Sequence, residues 1–289
     1  MIGRLLALAG ALLSLGALAA CGSPARDWPA PSPALWEVTG EDGTRGWLFG
    51  TIHALPDGAE WRTEAVDAAL GDAGALVVEV AELGDRAAAA EAFDAVATSP
   101  GLPPLLQRVP AAQRPALAAA MERAGLAEAE LARTESWAAA LLIANGAREG
   151  EAGNGVDRAL LARGLPVVAL ESHAVQFAMF DRLAEPDQAV LLTEAAREVG
   201  SGSEERLAEA WLTGDLAVLE REMRAGILAD PELREALLVA RNRAWTEQVA
   251  SLLAQGRRPF VAVGAAHMLG DEGLPPLLAA RGYTVRRIQ

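Results

Sequence analysis

The chain of 289 residues contains no lysine, a single cysteine at position 21 and only three histidines. One cysteine excludes an intrachain disulfide. All 25 basic residues are arginine and stand against 39 acids, for a formal charge of −14. With a pI near 4.7, this balance excludes a nucleic-acid partner, because neutralising a phosphate backbone requires clustered basic side chains. It also leaves no polybasic surface for anionic lipid, and the charge reads as a solvated surface. The missing lysines reflect codon bias rather than chemistry. The longest apolar run, Leu5 to Ala20, would span about 24 Å as a helix, short of the ~30 Å hydrocarbon core. There is no H-E-x-x-H, so the chain is not a zincin. Nothing around Ser172 forms a G-x-S-x-G elbow, which argues against a serine nucleophile there. What is present is apolar: 52% hydrophobic residues and a mean hydropathy of +0.18 exclude a disordered chain. The length suits one large α/β domain that buries its own core.

The first 20 residues read as a secretory signal: Arg4, then the short apolar run, then small residues. Leu18-Ala19-Ala20-Cys21 resembles the lipobox of bacterial lipoproteins, in which the chain is cut before the cysteine and the thiol is acylated. Cys21 is therefore the expected lipidation site. Gly at position 22, rather than Asp, points by the same resemblance to the outer membrane, with the domain facing the periplasm. Residues 21–34 read as a flexible tether rich in Pro, Ser and Ala, and residues 35–289 as the domain.

The domain pattern is α/β, a mixed sheet with a large helical lobe between N- and C-terminal strands. Ala34–Gly40 and Gly46–Ile52 predict a hairpin around an Asp42-Gly43 turn. Trp61–Asp72 is helical, and Ala75–Val80 is a short apolar run typical of a buried parallel strand. Arg86–Asn145 is alanine-rich and helical. Val156–Arg163 predicts a helix and Leu165–Leu170 a strand. Ser172 to about Leu253 is again mostly helix. Phe260–Val263 is a buried strand, Leu274–Ala280 a helix and Tyr283–Ile288 the last strand.

Two of the three histidines fall in matched frames. Gly50-Thr51-Ile52-His53-Ala54-Leu55-Pro56-Asp57 and Gly264-Ala265-Ala266-His267-Met268-Leu269-Gly270-Asp271 share G-x-x-H-x-L-x-D, each after an apolar strand. Ligands of α/β folds bind at the carboxyl ends of strands. The glycine three residues before each histidine permits a tight turn or a close approach of the backbone. Glu79 and Glu171 each end a buried strand, where an unpaired carboxylate is costly. Two imidazoles with one or two carboxylates suit a divalent metal with an open water position, Mn, Co or Zn. Such a metal acidifies its water and polarises a carbonyl. His173, at the start of a helix, offers a third imidazole, although that position is commonly a surface one.

These residues resemble the TraB/GumN family, which includes the TIKI proteases. The resemblance rests on Leu48-Phe49-Gly50-Thr51-Ile52-His53, Val77-Val78-Glu79 and Val263-Gly264-Ala265-Ala266-His267. Gly155-Val156-Asp157, Leu170-Glu171-Ser172, Arg241-Asn242 and Gly282-Tyr283-Thr284-Val285 support it. Ala169 and Ser172 depart mildly from the family's usual Gly and Thr. The resemblance implies a divalent-metal-dependent hydrolase, a peptidase above all. His53 and His267 would be ligands and Glu79 a third ligand or the general base, with Arg241 and Asn242 facing the site. Arg241 would bind a substrate carboxylate or an oxyanion. The broader superfamily also contains erythromycin-esterase-like enzymes and haem-binding ChaN-like lipoproteins. A haem- or ligand-binding lipoprotein without turnover is thus the alternative, and a scaffold using the helical lobe is a third reading.

Overall fold

The computed structural model describes residues 27–52, 55–56, 58–81, 85–147 and 155–289. Cys21 and the signal segment, His53 and Asp57 lie outside the described residues. The fold is α/β, built on one six-stranded mixed sheet. Its strands are β1 (Leu35–Thr39), β2 (Arg45–Thr51), β3 (Ala75–Val78), β4 (Val167–Ala169), β5 (Pro259–Gly264) and β6 (Thr284–Arg287). The order across the sheet is β4-β3-β5-β2-β1-β6. Neighbours from β4 to β2 run parallel, and β1 alone opposes its neighbours β2 and β6.

The β1–β2 hairpin forms as its turn residues predict. Gly40 N–H donates to Thr44 O at 2.9 Å and Gly43 N–H to Gly40 O at 3.1 Å. Gly43 supplies the φ of +81° that a side-chain-bearing residue resists. Strands β3 and β5 are apolar on both sides because both faces of the sheet are covered. Leu76, Val78, Phe260 and Ala262 point into one core with Val66, Leu70, Leu160 and Trp211. Val77, Val261 and Val263 point into the other, with Trp245, Val249, Leu253, Leu274 and Leu278. One helical layer thus comes from Glu64–Asp72, Val156–Leu161 and Ser203–Thr213, and the opposite one from Ala240–Ala254 and Leu274–Ala279.

The helical lobe has a third core of its own, around Trp137, Leu117, Leu105, Ile143, Leu192 and Leu233. It is assembled from two excursions rather than one. Helices Arg114–Arg123 and Ser136–Gly146 come between β3 and β4, and helices His173–Asp181 and Glu185–Glu198 between β4 and β5. Phe93, Trp137, Phe177 and Phe180 pack stacked or edge-on at centroid distances of 5.3–6.1 Å and tie the two excursions together. Among the described residues no helix is long and apolar enough to cross a membrane. Residues Trp28 to Pro33 lie against the domain: Ser32 N–H donates to Leu212 O at 2.7 Å, and Trp28 packs on the first core.

Candidate functional site

The site collects at the carboxyl ends of β4, β3 and β5, three parallel neighbours. Glu79 follows β3 and Glu171 lies just beyond β4. Glu171 N–H donates to Glu79 O at 2.9 Å, so the ladder runs on past both strand ends and brings the two carboxylates side by side. Gly264 closes β5, opposite Thr51 of β2. The two G-x-x-H frames therefore stand on adjacent parallel strands, and His267 follows Gly264 in a single 3₁₀ turn, Ala265–Met268.

Glycine serves close approach here, since neither Gly50 nor Gly264 has a positive φ. A Cβ on Gly50 would lie 2.9 Å from Ala265 Cα, and one on Gly264 would lie 3.2 Å from Glu79 Oε1. The Gly264 N–H donates to that same Oε1 at 2.8 Å. Trp211 Nε1 caps the Gly50 carbonyl at 2.7 Å, holding the end of β2.

Arg241 and Asn242 enter from the Ala240–Ala254 helix. Immediately before it, Glu235–Val239 is a π-helical segment in which Ala240 N–H reaches back to Glu235 O. Such a widened turn changes which residues face inward and is frequent at functional sites. It points both Arg241 and Asn242 at the sheet. Arg241 lies between the two carboxylates. Its Nε and Nη2 donate to Glu171 Oε1 and Oε2 at 3.0 and 2.9 Å. Nη2 also donates to Glu79 Oε2 at 2.7 Å. Nη1 meets Leu237 O at 3.0 Å and His267 Nε2 at 3.3 Å. Four of the five guanidinium N–H groups thus donate to oxygens, and the fifth faces His267 Nε2. Burial alone would lower the pKa of Arg241, but hydrogen bonds and charges from Glu171 and Glu79 outweigh it and hold the pKa above its ordinary value. The guanidinium also covers the Trp245 ring at 4.4 Å, one helical turn further on. Trp245 Nε1 donates to Glu171 Oε1 at 3.0 Å.

His267 is buried, with 5% of its side chain exposed. Its ring packs on Trp245 at 4.4 Å. Nδ1 is 2.6 Å from Asn242 Oδ1, and Nε2 is 4.0 Å from Glu79 Oε1. Asn242 is fully buried and donates from Nδ2 to Glu272 O at 2.7 Å. Gln176 Nε2 donates to Glu79 Oε2 at 3.2 Å.

Beside this cluster opens a cavity of about 230 Å³, lined by Glu79, Asp157, Gln176 and Arg241 on its polar side. Val78, Val80, Met179, Phe180 and Leu237 form its apolar wall. Asp157 reaches it from the Val156–Leu161 helix, which is tied to the end of β2 by Val156 N–H to Ile52 O at 3.2 Å.

Of the residues singled out in the sequence, Glu79, Glu171, Arg241, Asn242 and His267 are thus brought together. His173 begins the helix that Ser172 caps by accepting from Val175 N–H at 3.3 Å, and its ring stacks on Phe177. Gln176, Trp245 and Glu272 escaped the sequence reading. Trp245 alone had a local signal, four residues after Arg241 on the same helix.

A model of the TraB/PrgY/gumN family matches residues 34–287. The chain belongs to the TraB/PrgY/gumN family. The match spans every strand of the sheet, so the site described above lies wholly within the TraB/PrgY/gumN region. No curated protein and no solved structure matches the chain significantly.

Among the described residues no group of three or more His, Cys, Asp or Glu side chains converges as a metal cage. The two donors that fit a cation in kind are His267 Nε2 and Glu79 Oε1. They lie 4.0 Å apart and are the side chains that would hold a divalent cation there. The third protein ligand named by the resemblance, His53, lies outside the described residues.

Proposed function

We propose that the chain is a divalent-metal-dependent hydrolase of peptide or related acyl bonds. We propose further that a lipid on Cys21 anchors it in the bacterial envelope, facing the periplasm from the outer membrane. The observation that carries the hydrolase reading is the approach of His267 Nε2 to Glu79 Oε1, 4.0 Å apart, beside a cavity at the carboxyl ends of parallel strands. His267 and Glu79 would hold the metal together with His53. When bound, Mn, Co or Zn would supply a water whose pKa is lowered toward ~7 and a Lewis acid for the substrate carbonyl.

The remaining chemistry belongs to side chains of this chain. Glu79 is held at both oxygens, by Gly264 N–H on Oε1 and by Arg241 and Gln176 on Oε2. Oε1 is the oxygen turned toward His267, so it is the atom suited to ligate or to accept a proton. With four of its N–H groups donating to Glu171, Glu79 and the Leu237 carbonyl, Arg241 acts as a positioning residue for the two carboxylates. The wall of Val80, Met179, Phe180 and Leu237 suits an apolar substrate side chain. At about 230 Å³ the cavity is smaller than the ~300–1,000 Å³ of drug-sized ligand sites, which favours a residue side chain over a macrocycle such as haem.

The test is a peptide library incubated with the purified full chain and read by mass spectrometry. It is run in chelator and then with Mn, Co or Zn restored, for the wild type and His267→Ala. Cleavage is expected only with metal, and at least ~10²-fold less in the variant. No cleavage under any metal condition overturns the hydrolase, and cleavage indifferent to chelator overturns the metal. Mass spectrometry of the mature N-terminus, with Cys21→Ala as control, tests the lipid anchor.

A further inference from the structure

We infer that Asn242 locks His267 in the Nδ1–H tautomer and so leaves Nε2, the ring nitrogen on the side of Glu79 and Arg241, with a lone pair rather than a proton. The inference rests on the reading above only in making Nε2 the working atom. Asn242 is fully buried, and its amide has one orientation that satisfies its neighbours. Nδ2 donates to the Glu272 carbonyl at 2.7 Å, and the flipped amide would set its oxygen against that carbonyl, acceptor on acceptor. With the amide fixed, Oδ1 faces His267 Nδ1 at 2.6 Å. An amide oxygen only accepts, so the proton lies on Nδ1. On the other side of the ring, Arg241 Nη1 approaches Nε2 at 3.3 Å. A guanidinium only donates, so this longer contact is favourable only when Nε2 carries no proton. Both contacts favour the same tautomer, and the shorter one, from Asn242, is the one that fixes it. That tautomer is the less populated form of a free histidine side chain in water, so the protein has to enforce it.

Burial makes the arrangement hold. His267 lies against the Trp245 ring at 4.4 Å, with 5% of its side chain exposed, and the ring is pinned between Asn242 and Arg241. A lone pair on Nε2 is what a metal ligand or a general base at this atom needs, and the opposite nitrogen's hydrogen bond is the usual device for securing it. The Glu272 carbonyl is the outermost member of the relay. Asn242 is thus a positioning residue that acts on the reaction through His267.

The experiment uses the full chain labelled with ¹⁵N-histidine. Only three histidines are present, and His53→Ala and His173→Ala assign the His267 signals. Nitrogen shifts and couplings in chelator-treated protein then show which ring nitrogen carries the proton. The expected result for wild-type His267 is a proton on Nδ1 and none on Nε2. In Asn242→Leu the Nε2–H form should appear, and kcat should fall about 10–100-fold with KM little changed. A wild-type His267 protonated on Nε2, or mixed between tautomers, overturns the inference. Unchanged Nδ1–H in Asn242→Leu overturns it too. If Asn242→Leu fails to fold, the wild-type spectrum decides alone. A locked tautomer in a chain that cleaves no peptide keeps this inference and refutes the hydrolase.

Discussion

Arg241 grips Glu171 through two parallel hydrogen bonds, Nε to Oε1 at 3.0 Å and Nη2 to Oε2 at 2.9 Å. This fork matches a planar guanidinium to a carboxylate, which a lysine ammonium cannot do. Side-chain exposure is 13% for Arg241 and 10% for Glu171, so breaking the pair strands charge in a dry place. Arg241→Lys keeps the charge but loses the fork, and should cost about 1.5–3 kcal/mol and lower the melting temperature by roughly 3–12 °C. Thermal melts followed by circular dichroism check it, and an unchanged melting temperature refutes the positioning role.

Gly50→Ala should be destabilising without touching the chemistry directly. Its Cβ would sit 2.9 Å from the backbone at Ala265, where neither strand end can yield cheaply. Overpacking of this kind costs about 1–3 kcal/mol. Urea unfolding midpoints measure the loss.

Gly264→Ala should show the opposite balance. The added methyl group meets Glu79 Oε1 at 3.2 Å, a side-chain atom that can move a few tenths of an ångström. Stability should change by less than about 1 kcal/mol. Turnover should fall roughly tenfold or more, because small displacements of a reacting carboxylate are costly in rate. Parallel melts and peptide-cleavage rates separate the two effects, and a rate equal to wild type argues against Glu79 as a reacting group.

Glu37 carries the pH dependence that can be assigned away from the site. Partial burial on β1 would raise its pKa, but hydrogen bonds and charges from Arg286 and Arg45, on the two flanking strands, outweigh burial and leave it lowered. A lowered folded-state pKa means stability present above the unfolded-state value and lost as pH falls through the folded one. Both arginines are substantially exposed, so the contribution is modest, about 0.5–1 kcal/mol. Glu37→Gln should lower stability by that amount at pH 7, and the difference from wild type should vanish in acid below the lowered pKa. Melting curves from pH 7 down to the acid range measure it, and a pH-independent difference contradicts the ion-pair account.

Much of the fold was legible because its signals are local. The Asp42-Gly43 turn, the apolar runs of β3 and β5 and the alanine-rich helices follow from residue preferences over a few positions. So do the paired G-x-x-H frames and the strand-end carboxylates, which chemistry alone makes conspicuous. Strand ends were less sharp: Ala75–Val80 shortens to Ala75–Val78, and Leu165–Leu170 to Val167–Ala169. Pairing to neighbours, not composition, decides where a strand stops. Arg241 was placed on a helix facing the site, and its four donations to Glu171, Glu79 and the Leu237 carbonyl had no signal along the chain.

By itself the sequence determined the α/β class, the family and the residue types that carry chemistry, because periodicity and short motifs are written along the chain. Only the tertiary structure decided that β2 and β5, more than 200 positions apart, lie side by side, since parallel pairing is a long-range choice. It alone placed Arg241 between Glu79 and Glu171, and joined Gln176, Asn242 and the Glu272 carbonyl to the site. A hydrogen bond depends on a few tenths of an ångström in space, and separation along the chain carries no trace of it.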